Sequence, residues 1–151
     1  MKKAIVIGIA GGTGSGKTSI AQAILEDLKE GGEKALLLEQ DSYYVKNDEM
    51  PFDERVKLNY DHPDVIDFDL LEEHIIALTN GQSIEKPIYN FAEYNRCKET
   101  EVVESKPIII VEGILILSVP KIRKLLDMKI FVDTDDDERL LRRMERDIQE
   151  R

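Results

Sequence analysis

Cysteine is nearly absent from this sequence: Cys97 stands alone among 151 residues. A single thiol cannot close a disulfide within the chain, which suits a reducing compartment. Histidine is as scarce, with only His62 and His74, so no cysteine–histidine cluster of metal-ligand spacing exists. No apolar stretch approaches the roughly 20 residues of a membrane span, and a cytoplasmic location is expected. Basic residues are outnumbered, 21 Lys and Arg against 31 Asp and Glu, for a formal charge of -10. A surface that acidic argues against general binding to nucleic acid or to anionic membranes, while leaving room for a local basic pocket. Aromatic residues make up only 6% of the chain. Tyr43, Tyr44, Tyr60, Tyr89, Phe91 and Tyr94 are expected outside the core strands, where they either pack loops or stack a nucleobase. The remainder, 42% hydrophobic and 34% charged, is ordinary for one soluble domain with a real core.

Against that background one run carries most of the information. Gly11-Gly12-Thr13-Gly14-Ser15-Gly16-Lys17-Thr18 fits G-x-x-x-x-G-K-[ST], the phosphate-binding P-loop. Its glycines let the backbone wrap an anion and aim N–H groups at it. Lys17 adds a mobile positive charge for the β- and γ-phosphates, and Thr18 offers a hydroxyl to Mg²⁺. The strand–loop–helix context agrees: residues 3–10 read as a buried strand and residues 19–28 as a helix burying Ile20, Ala23, Ile24 and Leu28. Met1-Lys2-Lys3 before this apolar run imitates a signal peptide. The run is short and leads straight into the P-loop, so a core strand explains it better.

Apolar runs alternate with helical patterns along the chain, the mark of an α/β fold. Further core strands are expected at 34–40, 107–113 and 128–133, and helices at 69–79, 119–126 and 136–151. A small hairpin would pair 87–91 with 101–103. The polar stretch 41–67 is too long for a simple connection and reads as functional. The last helix carries no stop signal, so the chain is expected to be truncated relative to a natural protein.

Several polar residues fall where ligands bind in open α/β sheets, at the carboxyl ends of strands. Glu112 follows Ile108-Ile109-Ile110-Val111 and either holds Mg²⁺ or its water beside the P-loop, or is a plain strand-end carboxylate. Asp41, after the second strand, is a general base for a substrate hydroxyl or a turn former. His62 reads better as a loop-fixing residue before Pro63 than as a proton shuttle, and His74 reads as structural. Arg139, Arg143 and Arg146 share a face of the last helix. They are either solvated ion-pair partners or a lid that neutralises transferring phosphate.

Taken together, Gly11 to Thr18, Asp41-Ser42-Tyr43-Tyr44, Tyr60-Asp61-His62-Pro63, Pro87-Ile88-Tyr89, Glu112-Gly113-Ile114-Leu115, Phe131-Val132-Asp133-Thr134 and Arg142-Arg143 resemble the uridine–cytidine kinase family, in order and over almost the whole chain. The resemblance implies a P-loop three-layer α/β sandwich with a parallel sheet, a small hairpin near the substrate and a lid. It implies ATP- or GTP-dependent phosphorylation of a pyrimidine ribonucleoside at its 5′-hydroxyl, and a tetrameric assembly. Asp41 would be the base. Asp61 would bind the ribose hydroxyls with Arg143. Tyr44, Tyr60, Tyr89, Phe91 and Tyr94 would shape the nucleoside pocket. Thr18, Glu112 and Asp41 would serve the metal, and Arg146 and Arg151 the lid over the nucleotide. Tyr94 departs from the histidine of many members and biases the pocket toward cytidine. Members also continue for roughly 50–60 more residues, a strand and helix by usual element sizes. The enzyme alternatives are a phosphoribulokinase-like or pantothenate-kinase-like activity, and the non-enzyme alternative is an inactive nucleotide-binding module.

Overall fold

The computed structural model describes residues 4–12, 16–60 and 62–132. Its centre is a four-stranded parallel sheet in the order β2-β5-β1-β6, built from β1 (Ile5–Ala10), β2 (Ala35–Glu39), β5 (Ile108–Glu112) and β6 (Met128–Phe131). Runs apolar on both faces demand cover on both sides. Helix α1 (Lys17–Glu30) packs Ala21, Ile24, Leu25 and Leu28 against Ile9 and Ile110. On the opposite face, α3 (Phe68–Thr79) and α4 (Pro120–Arg123) bury Leu71, Ile75, Leu78 and Ile122 against Val6, Leu38, Ile109 and Val111. Gly8 belongs to that second face, where any Cβ would run into the Leu126 side chain.

The antiparallel hairpin of β3 (Ile84–Asn90) and β4 (Asn95–Val103) stands apart from this sheet and packs on the turn after β2. It is longer than the sequence pattern predicts, pairing Ile84 with Val103 and Asn90 with Asn95 around a bulge between Pro87 and Tyr89. The stretch from 41 to 67 is likewise not irregular throughout. It contains a 3₁₀ turn at Gln40–Tyr43, a short helix α2 at Phe52–Val56, and a second 3₁₀ turn at Pro63–Val65.

One further expectation needs correction. Ile20 and Ala23 do not bury. Both are exposed, and Ala21 and Leu25 turn toward the sheet instead, because the helix begins at Lys17 and its apolar stripe is rotated. The strand at 128–131 joins the sheet as expected; among the described residues it is an outer strand, with Met128 and Phe131 more than half exposed. The helix expected at 136–151 lies outside the described residues.

Candidate functional site

The parallel register brings strand ends together on one edge. Ile9 pairs with Glu112, and Glu39 pairs with the same residue from the other side. Beyond Ala10 the chain passes through buried Gly11 and half-buried Gly12. Gly16 caps α1 at φ 92, a left-handed conformation that favours glycine. Lys17 and Thr18 thus sit in the first turn, at the positive end of the helix dipole. Thr13, Gly14 and Ser15 of the same run lie outside the described residues.

Lys17, Thr18 and Glu112 converge. The Lys17 Nζ lies 3.8 Å from Glu112 Oε1, both side chains being almost wholly buried. The Thr18 hydroxyl donates to that same oxygen at 3.2 Å. Burial pushes the Glu112 carboxyl up to about 7, and nearby Asp41 and Glu39 push in the same direction, against Lys17 and the Thr18 hydrogen bond. Desolvation outweighs the long ion pair, so this carboxylate is short of positive charge. A buried carboxylate oxygen beside a threonine hydroxyl is a donor set that suits a hard cation such as Mg²⁺, which takes few protein ligands and keeps waters and phosphates. Among the described residues there is no larger cluster of acidic or imidazole ligands.

Asp41 projects from the 3₁₀ turn that continues β2, exposed at the same sheet edge. The Tyr44 hydroxyl reaches Asp41 Oδ1 at 3.4 Å. Tyr44 in turn forms the centre of an aromatic cluster. Its ring centroid lies 5.1 Å from Tyr60, 4.9 Å from Tyr89 and 6.5 Å from Phe91, and Tyr60 meets Tyr94 at 5.7 Å. These side chains line a cavity of about 30 Å³, room for about one water. Phe91 is 46% exposed, with its ring edge-to-face on Tyr44 and Tyr89. Tyr94 holds φ 52, the one positive φ outside glycine among the described residues, at the tip of the hairpin. The Tyr60 hydroxyl donates to the Arg55 carbonyl at 2.7 Å, which ties α2 to the cluster. A wider cleft of about 820 Å³ opens at the opposite edge of the sheet, between Ile5, Leu28, Lys106 and Ile108. None of the expected site residues lines it.

Other expectations resolve as follows. Tyr43 is not part of the aromatic cluster; it is fully buried, with its hydroxyl 2.7 Å from His74 Nδ1. His74 is therefore structural, as its helix face implies. The exposed His62 fixes its loop, accepting the Asp64 N–H at Nδ1. Asp61, Arg139, Arg143, Arg146 and Arg151 lie outside the described residues.

Sequence reasoning missed two polar residues beside the site, one buried and one half-buried. Gln40 is 1% exposed, and its Oε1 accepts the Leu115 N–H at 2.9 Å, tying the end of β2 to the loop after β5. Gly113 makes room for it, since any Cβ there would overlap the Gln40 side chain. A glutamine closing an apolar strand was the available signal. Arg96, on β4, donates from Nη2 to the Tyr44 carbonyl at 2.8 Å and lies 3.7 Å from Asp67. Nothing in its charge-rich surroundings distinguished it.

Among the described residues no helix is long and apolar enough to cross a membrane. The family model described as Phosphoribulokinase / Uridine kinase family matches residues 6–151. A uridine kinase of Clostridium perfringens is 54% identical over 151 residues, all of this chain and 72% of that protein. A uridine kinase of Ligilactobacillus salivarius is 52% identical over 149 residues, covering 99% of this chain and 69% of that protein. Among solved structures, a possible uridine kinase from Bacillus stearothermophilus superimposes with a TM-score of 0.69 at 19% identity, over 99% of this chain and 81% of that one. At that identity the superposition speaks for the fold alone, a parallel sheet between helices. The family model spans nearly the whole chain, and both curated relatives are more than half identical to it over essentially its full length; on that ground the chain belongs to the phosphoribulokinase / uridine kinase family.

Proposed function

We propose that this chain transfers the γ-phosphoryl group of ATP, or of GTP, to the 5′-hydroxyl of uridine or cytidine, giving the nucleoside monophosphate. The observation that carries the reading is the Tyr44–Asp41 contact of 3.4 Å. It joins an aromatic slot suited to a planar base to a carboxylate that also acts electrostatically on Glu112 at the phosphate end. A base in the slot and phosphates on the P-loop place Asp41 between them, where a nucleoside's 5′-hydroxyl belongs.

In this reading Asp41 accepts the hydroxyl proton as the 5′-oxygen bonds to the γ-phosphorus and the bond to the β–γ bridging oxygen breaks, releasing the nucleoside diphosphate. Lys17 offsets charge on the β- and γ-phosphates. Thr18 and Glu112, aided by Asp41, would hold Mg²⁺, which supplies positive charge to the phosphate oxygens. Asp61 and Arg143 are assigned to the ribose hydroxyls, and Arg146 and Arg151 to the lid. A tetrameric assembly and a Tyr94-dependent preference for cytidine belong to the same reading. A panel of acceptors tests it: uridine, cytidine, ribulose 5-phosphate and pantothenate, each with ATP and Mg²⁺. Pyrimidine ribonucleosides should be turned over fastest; faster turnover of either other acceptor, or binding without turnover of any, would replace the reading.

A further inference from the structure

The turn that carries Asp41 is held from inside by polar groups that its own packing does not require. Gln40 and Tyr43, the first and last residues of the turn, both point inward, while Asp41 points outward and Tyr44, just past it, faces the aromatic slot. Tyr43 is 0% exposed and meets His74, itself 8% exposed on α3. Their hydrogen bond is 2.7 Å and their rings are edge-to-face at 5.5 Å. The Tyr43 carbonyl accepts the Asp67 N–H at 2.7 Å, just where α3 is capped. A phenylalanine–leucine pair would fill the same space with no desolvation cost. A buried hydroxyl facing a buried imidazole adds little net stability but has few acceptable geometries, so it fixes an arrangement. Burial keeps the imidazole below its ordinary pKa and the phenol above its own, so both are neutral near pH 7.

We infer that Tyr43 and His74 are a positioning pair: their hydrogen bond, anchored in α3, sets the turn so that the Asp41 carboxylate meets the acceptor hydroxyl. Neither residue touches the slot itself. Tyr44 has two anchors beyond the Tyr43–His74 bond, Arg96 on its carbonyl and a β-bridge to Ile66. Loosening Tyr43 therefore disturbs Asp41 more than it disturbs the base-binding ring. The effect falls on kcat rather than on KM for the nucleoside. The inference rests on the kinase reading above.

The test compares wild type with Tyr43→Phe, His74→Leu and His74→Gln, using ATP and uridine. Tyr43→Phe and His74→Leu should each lower kcat roughly 5- to 20-fold, the scale of a small misplacement of a reacting group, with KM for uridine within about threefold. His74→Gln keeps a polar partner within reach of the phenol and should recover most of the loss. Amide exchange at Asp67, whose N–H is bonded to the Tyr43 carbonyl, should quicken at least tenfold in Tyr43→Phe and stay near wild type in His74→Gln. Unchanged kcat per folded molecule in Tyr43→Phe, or equal losses in the Gln and Leu variants, overturns the positioning role while leaving the kinase reading intact. If wild type phosphorylates no nucleoside, the kinase reading falls, and an unchanged Asp67 exchange rate then overturns the pair's role in holding the turn.

Discussion

Replacing Glu112 by glutamine should flatten the pH dependence of stability of the nucleotide-free protein. Burial lifts the Glu112 carboxyl from its ordinary 4.5 to about 7. A folded-state pKa above the unfolded one means that the folded protein binds the extra proton. The associated stability is fully present below the unfolded value and is lost as pH rises through about 7. The whole shift corresponds to about 3 kcal/mol. Between about pH 5.5 and pH 8.5 the part that is lost comes to about 2 kcal/mol by the same linkage relation. Glu112→Gln keeps the shape of the side chain and behaves as if always protonated. Urea unfolding of both proteins across this range, without nucleotide or divalent cation, gives the difference curve directly. Other carboxylates titrate in both proteins and cancel in that difference. Relative to the variant, wild type should lose about 2 kcal/mol on going to the alkaline end. A difference curve that is level, or that slopes the other way, would refute the argument that desolvation outweighs Lys17 at this carboxylate.

Further expectations concern the remaining parts of the edge. Asp41→Asn should lower kcat by about 10²–10⁴-fold, the usual contribution of a general base, with thermal stability unchanged because Asp41 is exposed; steady-state kinetics and a melting curve check both. Phe91→Ala should raise KM for uridine by roughly 5- to 100-fold, as expected for loss of one stacking ring. The folded state should barely notice it, since Phe91 is 46% exposed. Gly113→Ala should push Gln40 off the Leu115 amide, lowering stability by about 1–3 kcal/mol and slowing turnover, as read by denaturation and by an ADP-release assay.

Much of this edge was legible before the structure because its logic is local. A glycine run between an apolar strand and a helix has few alternative meanings, and a carboxylate after a buried strand falls at a sheet edge whatever the strand order. Strand order itself was not legible. Nothing in 108–112 announces that this strand lies between β1 and β2, so the meeting of Glu39, Glu112 and Lys17 emerges only from the register. The hairpin was underestimated because β4, with Arg96, Lys98, Glu99 and Glu101, lacks apolar alternation. A two-stranded ribbon with one wet face does not need it. Helix α1 was rotated in expectation because Ile20 is apolar yet exposed, and one such residue shifts a stripe read from composition alone. Gln40 and Arg96 were missed for a different reason: a polar side chain turned into the fold shows itself through its partners, which are distant in sequence.

The central claim is that the P-loop, Asp41 and the aromatic slot form one site that phosphorylates a nucleoside. The most direct measurement follows ³¹P NMR of the protein with ATP, Mg²⁺ and uridine. The account predicts ADP and uridine 5′-monophosphate appearing in equal amounts, and neither signal when Lys17→Ala replaces wild type. ADP release that proceeds equally without uridine, or phosphate appearing on a ribose 2′- or 3′-hydroxyl, would contradict it.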